Sequence, residues 1–168
     1  MQSLYDFIVP VFIKSLGGLK TVLAKAKSHG LDEAALLADR LAPDMFPFVK
    51  QVQTACDHAK GATARLAGIE PPKMEDTEST VDELLARIDK TIAFVESVSK
   101  ESFEGAPERR VTLPYWKEKS MPGLDYARYY ALPNFFFHVT IAYGLVRKND
   151  VAIGKADYIN GLPFDETA

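Results

Sequence analysis

An all-α fold, a single four-helix bundle, is predicted by three features of the sequence. Apolar residues recur three and four apart over four long segments. Cap and stop residues bracket those segments where the periodicity begins and ends. Four segments of this length, with one long irregular connection, have the dimensions of a helical bundle. The chain has 168 residues, enough for one domain with a sizeable core. It has no internal repeat and no low-complexity tract, so residues 1–168 are read as one unit.

Helix one is predicted from Leu4 to Ser28. Leu4, Ile8, Phe12, Leu16, Leu19 and Leu23 form its apolar stripe, Ser3 is the N-cap and Gly30 the stop. Pro10 removes one amide donor and is expected to kink this helix or delay its start. The pair Gly17-Gly18 sits inside the helical pattern, where close packing is its simplest reading. Helix two is predicted in two pieces. Asp32 caps a short segment to Arg40 or Leu41, Pro43 breaks it, and a longer piece runs from Asp44 to Leu66 with Pro47 in its first turn. Asp44 is its expected N-cap and Gly68 its stop.

Residues Glu70 to Ser79, with Pro71, Pro72 and many acids, read as a linker. Thr80-Val81-Asp82-Glu83 has capping-box spacing and opens helix three, whose stripe runs from Val81 through Leu84, Ile88 and Val95 to Val98. Arg110–Leu113 and Lys117–Met121 are expected to form a small hairpin. Helix four is predicted from Leu124 to Lys148 with a bend near Pro133. The tail from Val151 to Ala168 reads as an extended segment laid over the bundle.

Composition narrows the function classes. Net charge is -3 and pI about 5.6, with no basic stripe, so nucleic acid is not an expected partner. The most apolar run, Phe135 to Val146, is short and contains His138, so no membrane span is expected. Met1 to Phe12 lacks the features of a signal peptide, and the single Cys56 suits a reducing cytoplasm. Motifs for nucleotide, hydrolase or metalloprotease chemistry are absent.

The candidate site residues are polar groups on predicted inward faces. Asn134 and His138 lie four apart on helix four, one turn above the other. Gln51, Ala55, His58 and Ala62 share a face of helix two, with Asp57 beside them. If these faces meet, His58 and His138 share a site. Two imidazoles with a carboxylate make an open site for a divalent metal such as zinc or nickel. The alternative is a helical core with satisfied polar groups, with Asp44 simply capping a helix. Cys56 reads as a small buried apolar residue. The aromatic residues Tyr126, Tyr129, Tyr130, Phe135, Phe136, Phe137 and Tyr143 point to core or dimer packing.

A set of segments carries a family resemblance. These are Arg40-Leu41-Ala42-Pro43-Asp44-Met45, Gln51-Val52-Gln53 with Ala55-Cys56-Asp57, and Arg65-Leu66-Ala67-Gly68. Leu132-Pro133-Asn134-Phe135 with Phe137-His138, and Ile153-Gly154-Lys155 with Asp157-Tyr158, complete it. From Leu4 to Gly161 the chain resembles an uncharacterised bacterial family of domains of unknown function within the DinB/YfiT-like metalloenzyme superfamily. The resemblance implies a four-helix bundle, frequently a homodimer. In the superfamily three histidines hold a divalent metal, one from helix two and two from an HxxxH motif on helix four; some members are thiol-dependent transferases. Here that motif reads Asn134-x-x-x-His138, so His138 matches its second histidine, and His58 is the loose match on helix two.

Three functions are therefore weighed. The first is an altered metal centre with His58 and His138 as ligands, activating water or a thiol. The second is a metal-free small-molecule site formed by Asp44, Gln51, Asp57, Asn134 and His138. The third is a structural homodimer packed through the aromatic face.

Overall fold

A computed structural model describes residues 3–164. Its architecture is the predicted all-α bundle. The four principal helices are α1 (Leu4–His29), α3 (Phe48–Ala67), α4 (Val81–Ser97) and α6 (Leu132–Lys148). Short helices α2 (Glu33–Ala38), α5 (Gly123–Tyr126) and α7 (Lys155–Ile159) decorate them. Helix α1 packs against α4 and α6, and α3 packs against the same two, so α1 and α3 stand across the bundle from each other. The seam that matters below is the one between α3 and α6.

Local chemistry explains most boundaries. The Ser3 hydroxyl accepts the Asp6 amide at 3.3 Å while the Asp6 carboxylate accepts the Ser3 amide at 3.0 Å, a complete capping box. Thr80 and Glu83 do the same for α4. Gly30 and Gly68 end α1 and α3 with φ of 79° and 73°, the left-handed region that favours glycine. Pro10 lies inside α1 and does not delay its start, because the capped first turn is already set.

The long apolar helix deserves separate treatment. By length and composition α1 is long and apolar enough to cross a membrane, a test that the core helix of a bundle also passes. Its apolar side is instead core: Ile8, Phe12, Leu16 and Leu23 are fully buried. They meet Phe48, Leu84, Ile88, Phe135 and Leu145 in one continuous cluster.

Several boundaries differ from expectation. Helix α3 begins at Phe48, not Asp44, with Pro47 in the cap position and no side-chain cap bond. Asp44 lies exposed in the preceding loop and caps nothing. The hairpin shrinks to β1 (Arg110–Val111) and β2 (Met121–Pro122), paired antiparallel, with a 3-10 turn at Pro114–Trp116 between them. Helix four is interrupted by a π-helical turn, Ala127–Ala131, in which the Leu132 amide reaches back to the Ala127 carbonyl. The wide turn ends two residues before Pro133, which has no amide to offer an α-helical ladder.

The tail is not extended throughout. Helix α7 docks on α1 over the Gly17-Gly18 pair, where a β-carbon on Gly18 would collide with the Tyr158 carbonyl oxygen. The glycine pair is thus a docking floor, as close packing predicted. The final residues of the expected tail, 165–168, lie outside the described residues.

Candidate functional site

The α3–α6 seam brings together residues that are far apart in sequence. Gln51, buried on α3, donates from Nε2 to the Phe46 carbonyl at 3.0 Å. That bond turns its Oε1 toward His138 Nδ1, 2.7 Å away on α6. An amide oxygen only accepts, so Nδ1 carries the proton and Nε2 of His138 keeps its lone pair. His138 is 8% exposed, and burial holds its pKa below the usual histidine value.

His58 lies against it. The two rings are 5.6 Å apart between centroids and 15° from parallel. Burial, then the neighbouring His138, pushes the His58 pKa down to about 4, so its imidazole is neutral at physiological pH. Phe46 stacks on the other side of His138 at 6.3 Å, and Tyr130 tilts against His58 at 5.8 Å. Tyr126 continues the column, 5.6 Å from Tyr130.

A pocket of about 360 Å³ opens beside His58, also lined by Arg65, Tyr115 and Tyr130. The hydroxyls of Tyr115 and Tyr130 are hydrogen-bonded to each other across its rim. The Arg65 guanidinium donates to the Tyr126 hydroxyl at 3.3 Å and forms no ion pair among the described residues. Gly61, one turn earlier on α3, makes this possible, since a β-carbon there would strike Arg65 Nη1.

The remaining candidates are turned elsewhere. The Asn134 amide donates to the Tyr130 carbonyl at 2.7 Å, serving the backbone of the π-helical turn. Asp57 borders the pocket, but its Oδ1 accepts from Arg87 Nη2 and meets Lys60 Nζ, each at 2.9 Å. Asp44 is out in the loop. Cys56 is fully buried, and desolvation raises its thiol pKa to about 12, which makes it inert as a nucleophile.

A divalent metal needs more than this set provides. Two imidazoles on one ion, with metal–nitrogen bonds of about 2.0–2.1 Å, place their ring centres about 5–6 Å apart, and the His58–His138 separation meets that condition. A third protein donor is missing. Among the described residues no three His, Cys, Asp or Glu side chains converge. Asn134 Nδ2 is bonded to the Tyr130 carbonyl and Asp57 Oδ1 to Arg87 and Lys60, and neither residue belongs to a converging set with the two imidazoles. The residues present therefore do not fit a resident zinc or nickel ion.

Sequence reasoning did not single out Arg65, Tyr115, Phe46 or Arg87. Arg87 left a visible signal: it lies three residues after Leu84 and four before Thr91, on the buried stripe of α4. It is 2% exposed and pairs with Asp57, Asp76 and Glu78. Tyr115 left none, because it reaches the pocket from an irregular loop.

Comparisons with known proteins agree with this architecture. A family model described as "Domain of unknown function (DUF1993)" matches residues 4–159. The crystal structure of a DinB family member protein from Shewanella denitrificans superposes with a TM-score of 0.93. It is 38% identical in sequence, and the match covers 98% of this chain and 96% of that one. No curated protein matches the chain.

Proposed function

This chain belongs to the DUF1993 family of domains of unknown function and has a DinB-like fold, and from that premise we propose that it binds a small organic molecule in the pocket between α3, the loop at Leu113–Tyr115 and the π-helical turn before α6, without a resident divalent metal. The observation that carries the reading is the Arg65 guanidinium, half-buried in a preformed pocket beside a neutral imidazole and with no carboxylate paired to it among the described residues. A partly desolvated cation without a counter-ion is costly, and ligand sites are where such groups are kept. The pocket's size is within the usual range for small-molecule sites. Its wall is also built from behind, since the Phe46 carbonyl fixes Gln51, and Gln51 fixes His138 against His58.

Metal analysis of protein purified without chelator, followed by titration with zinc and nickel, tests the metal-free half. The expected result is substoichiometric metal and no ion-dependent rise in Tm beyond that of a His58→Ala, His138→Ala double variant. Stoichiometric metal lost in that variant would replace this reading with the altered metal centre.

A homodimer is a second, compatible reading. Tyr129, Pro133, Phe137 and Thr140 are exposed and spaced along the π-helical turn and α6, with Tyr129 71% and Phe137 52% accessible. Large exposed aromatics in a row are the kind of surface a partner copy covers. Sedimentation equilibrium tests it: a dimer that Phe137→Ser dissociates supports this face, and a monomer at all concentrations refutes it.

A further inference from the structure

We infer that the ligand of the pocket beside His58 is a small aromatic carboxylate, with Arg65 as its anchor; this rests on the pocket being a ligand site at all. Three features select that class.

Charge comes first. Asp57 borders the pocket, yet Arg87 and Lys60 already hold it, while Arg65 is bonded only to a phenol hydroxyl among the described residues. A planar guanidinium with free N–H groups is matched by a carboxylate, which it grips through two parallel bonds. A phosphate usually draws on several cations or a run of backbone amides, and the lining here offers one unpaired guanidinium.

Shape is the second feature. The walls are flat rings, His58 and Tyr130, tilted 57° to each other at 5.8 Å. Ring faces favour a planar aromatic body over a branched aliphatic one. The volume of about 360 Å³ suits one ring with its substituents.

Positioning is the third. Gly61 leaves the space in which the guanidinium lies along α3, and any side chain at that position must displace it. The Tyr115 and Tyr130 hydroxyls are bonded to each other at the pocket rim, so one hydroxyl proton of the pair is left for a ligand substituent. Tyr115 is 65% exposed and is carried by the short turn at Pro114–Trp116.

The test is titration of protein labelled at histidine and tyrosine, followed by NMR and calorimetry, with benzoate, benzamide and inorganic phosphate as probes. Benzoate is expected to shift the His58 and Tyr130 signals and to bind at least about tenfold more tightly than benzamide, as charge-assisted pairing implies. Arg65→Gln should abolish that preference, bringing benzoate down to the level of benzamide. Gly61→Ala, which keeps the charge but moves it, should weaken benzoate alone. Equal binding of benzamide and benzoate, or displacement of benzoate by phosphate at lower concentration, would overturn the ligand class and leave the pocket reading intact. If none of the probes, neutral or charged, perturbs His58 or Tyr130, the pocket reading itself falls.

Discussion

The Gln51 amide oxygen stands 2.7 Å from Nδ1 of His138, across the seam between α3 and α6. This bond decides which ring nitrogen carries the proton, because the Gln51 nitrogen is already spent on the Phe46 carbonyl. Gln51→Leu removes the acceptor and leaves a buried N–H unpaired. We expect a loss of about 1–3 kcal/mol in urea unfolding. The nitrogen chemical shifts of His138 should change from a single Nδ1–H tautomer to a mixture. Unchanged shifts would mean that the ring is oriented by something else.

Acid should weaken the fold through the same pair. His58 binds its proton more weakly in the folded chain, at about 4, than its ordinary value of 6.5, and His138 is shifted in the same direction. Between those values the unfolded chain binds more protons, so stability is complete above about pH 6.5 and falls as the pH drops toward 4. The His58 contribution is at most about 3 kcal/mol. His58→Phe should flatten that part of the stability–pH curve, measured by denaturant midpoints from pH 4 to 7.

Arg87 holds the acidic linker to the bundle. It pairs with Asp57, Asp76 and Glu78, and also donates to the Glu75 carbonyl at 3.0 Å. Its Nε is buried without a partner, so the geometry is not perfectly satisfied. Arg87→Met leaves Glu78 without an ion pair among the described residues, while Lys60 and Lys50 still reach Asp57 and Asp76, and about 3 kcal/mol should be lost. Hydrogen exchange should quicken across residues 71–79 before it does in the helices. Uniform acceleration would show that the arginine supports the core as a whole.

Gly18 sets how closely α7 approaches α1. Gly18→Ala drives a methyl into the Tyr158 carbonyl, and α7 must lift. A cost of about 1–3 kcal/mol is expected from the overpacked contact. Faster exchange should be confined to Lys155–Ile159 and the facing turn of α1. A local effect separates this from general destabilisation of α1.

Asn134 is the position at which a metal centre could be rebuilt. It lies one turn before His138, and Asn134→His supplies the third imidazole that the seam lacks. That variant is expected to bind one zinc ion and gain Tm on zinc addition, where the parent protein does not. Absence of zinc binding in the variant would mean that the π-helical turn before Pro133 holds position 134 away from the histidine pair.

The principal helices and several of their ends are legible in the sequence. Ser3, Thr80, Gly30 and Gly68 act within one turn of their own backbone, and the stripes of α1 and α4 report burial through a local period. Those signals are short-range, so they can be read along the chain. Its errors fell where local rules compete. Asp44 has cap chemistry, but it lies with Pro43 at the centre of a turn closed by the Met45 amide on the Ala42 carbonyl, and the helix starts only after Pro47. The π-helical turn before Pro133 changes the facing of residues on one helix by a fraction of a turn, which residue spacing alone does not reveal. Only the tertiary structure decided the site. His58 and His138 do meet, and Arg65 shares the face of α3 two turns after His58, but Asp57 is drawn to Arg87 on α4 and Asn134 to its own backbone, while Tyr115 enters from a loop no periodicity marks. A polar side chain goes to whichever partner the packed helices bring within reach, and that choice is made by the packing of α3 against α4 and α6.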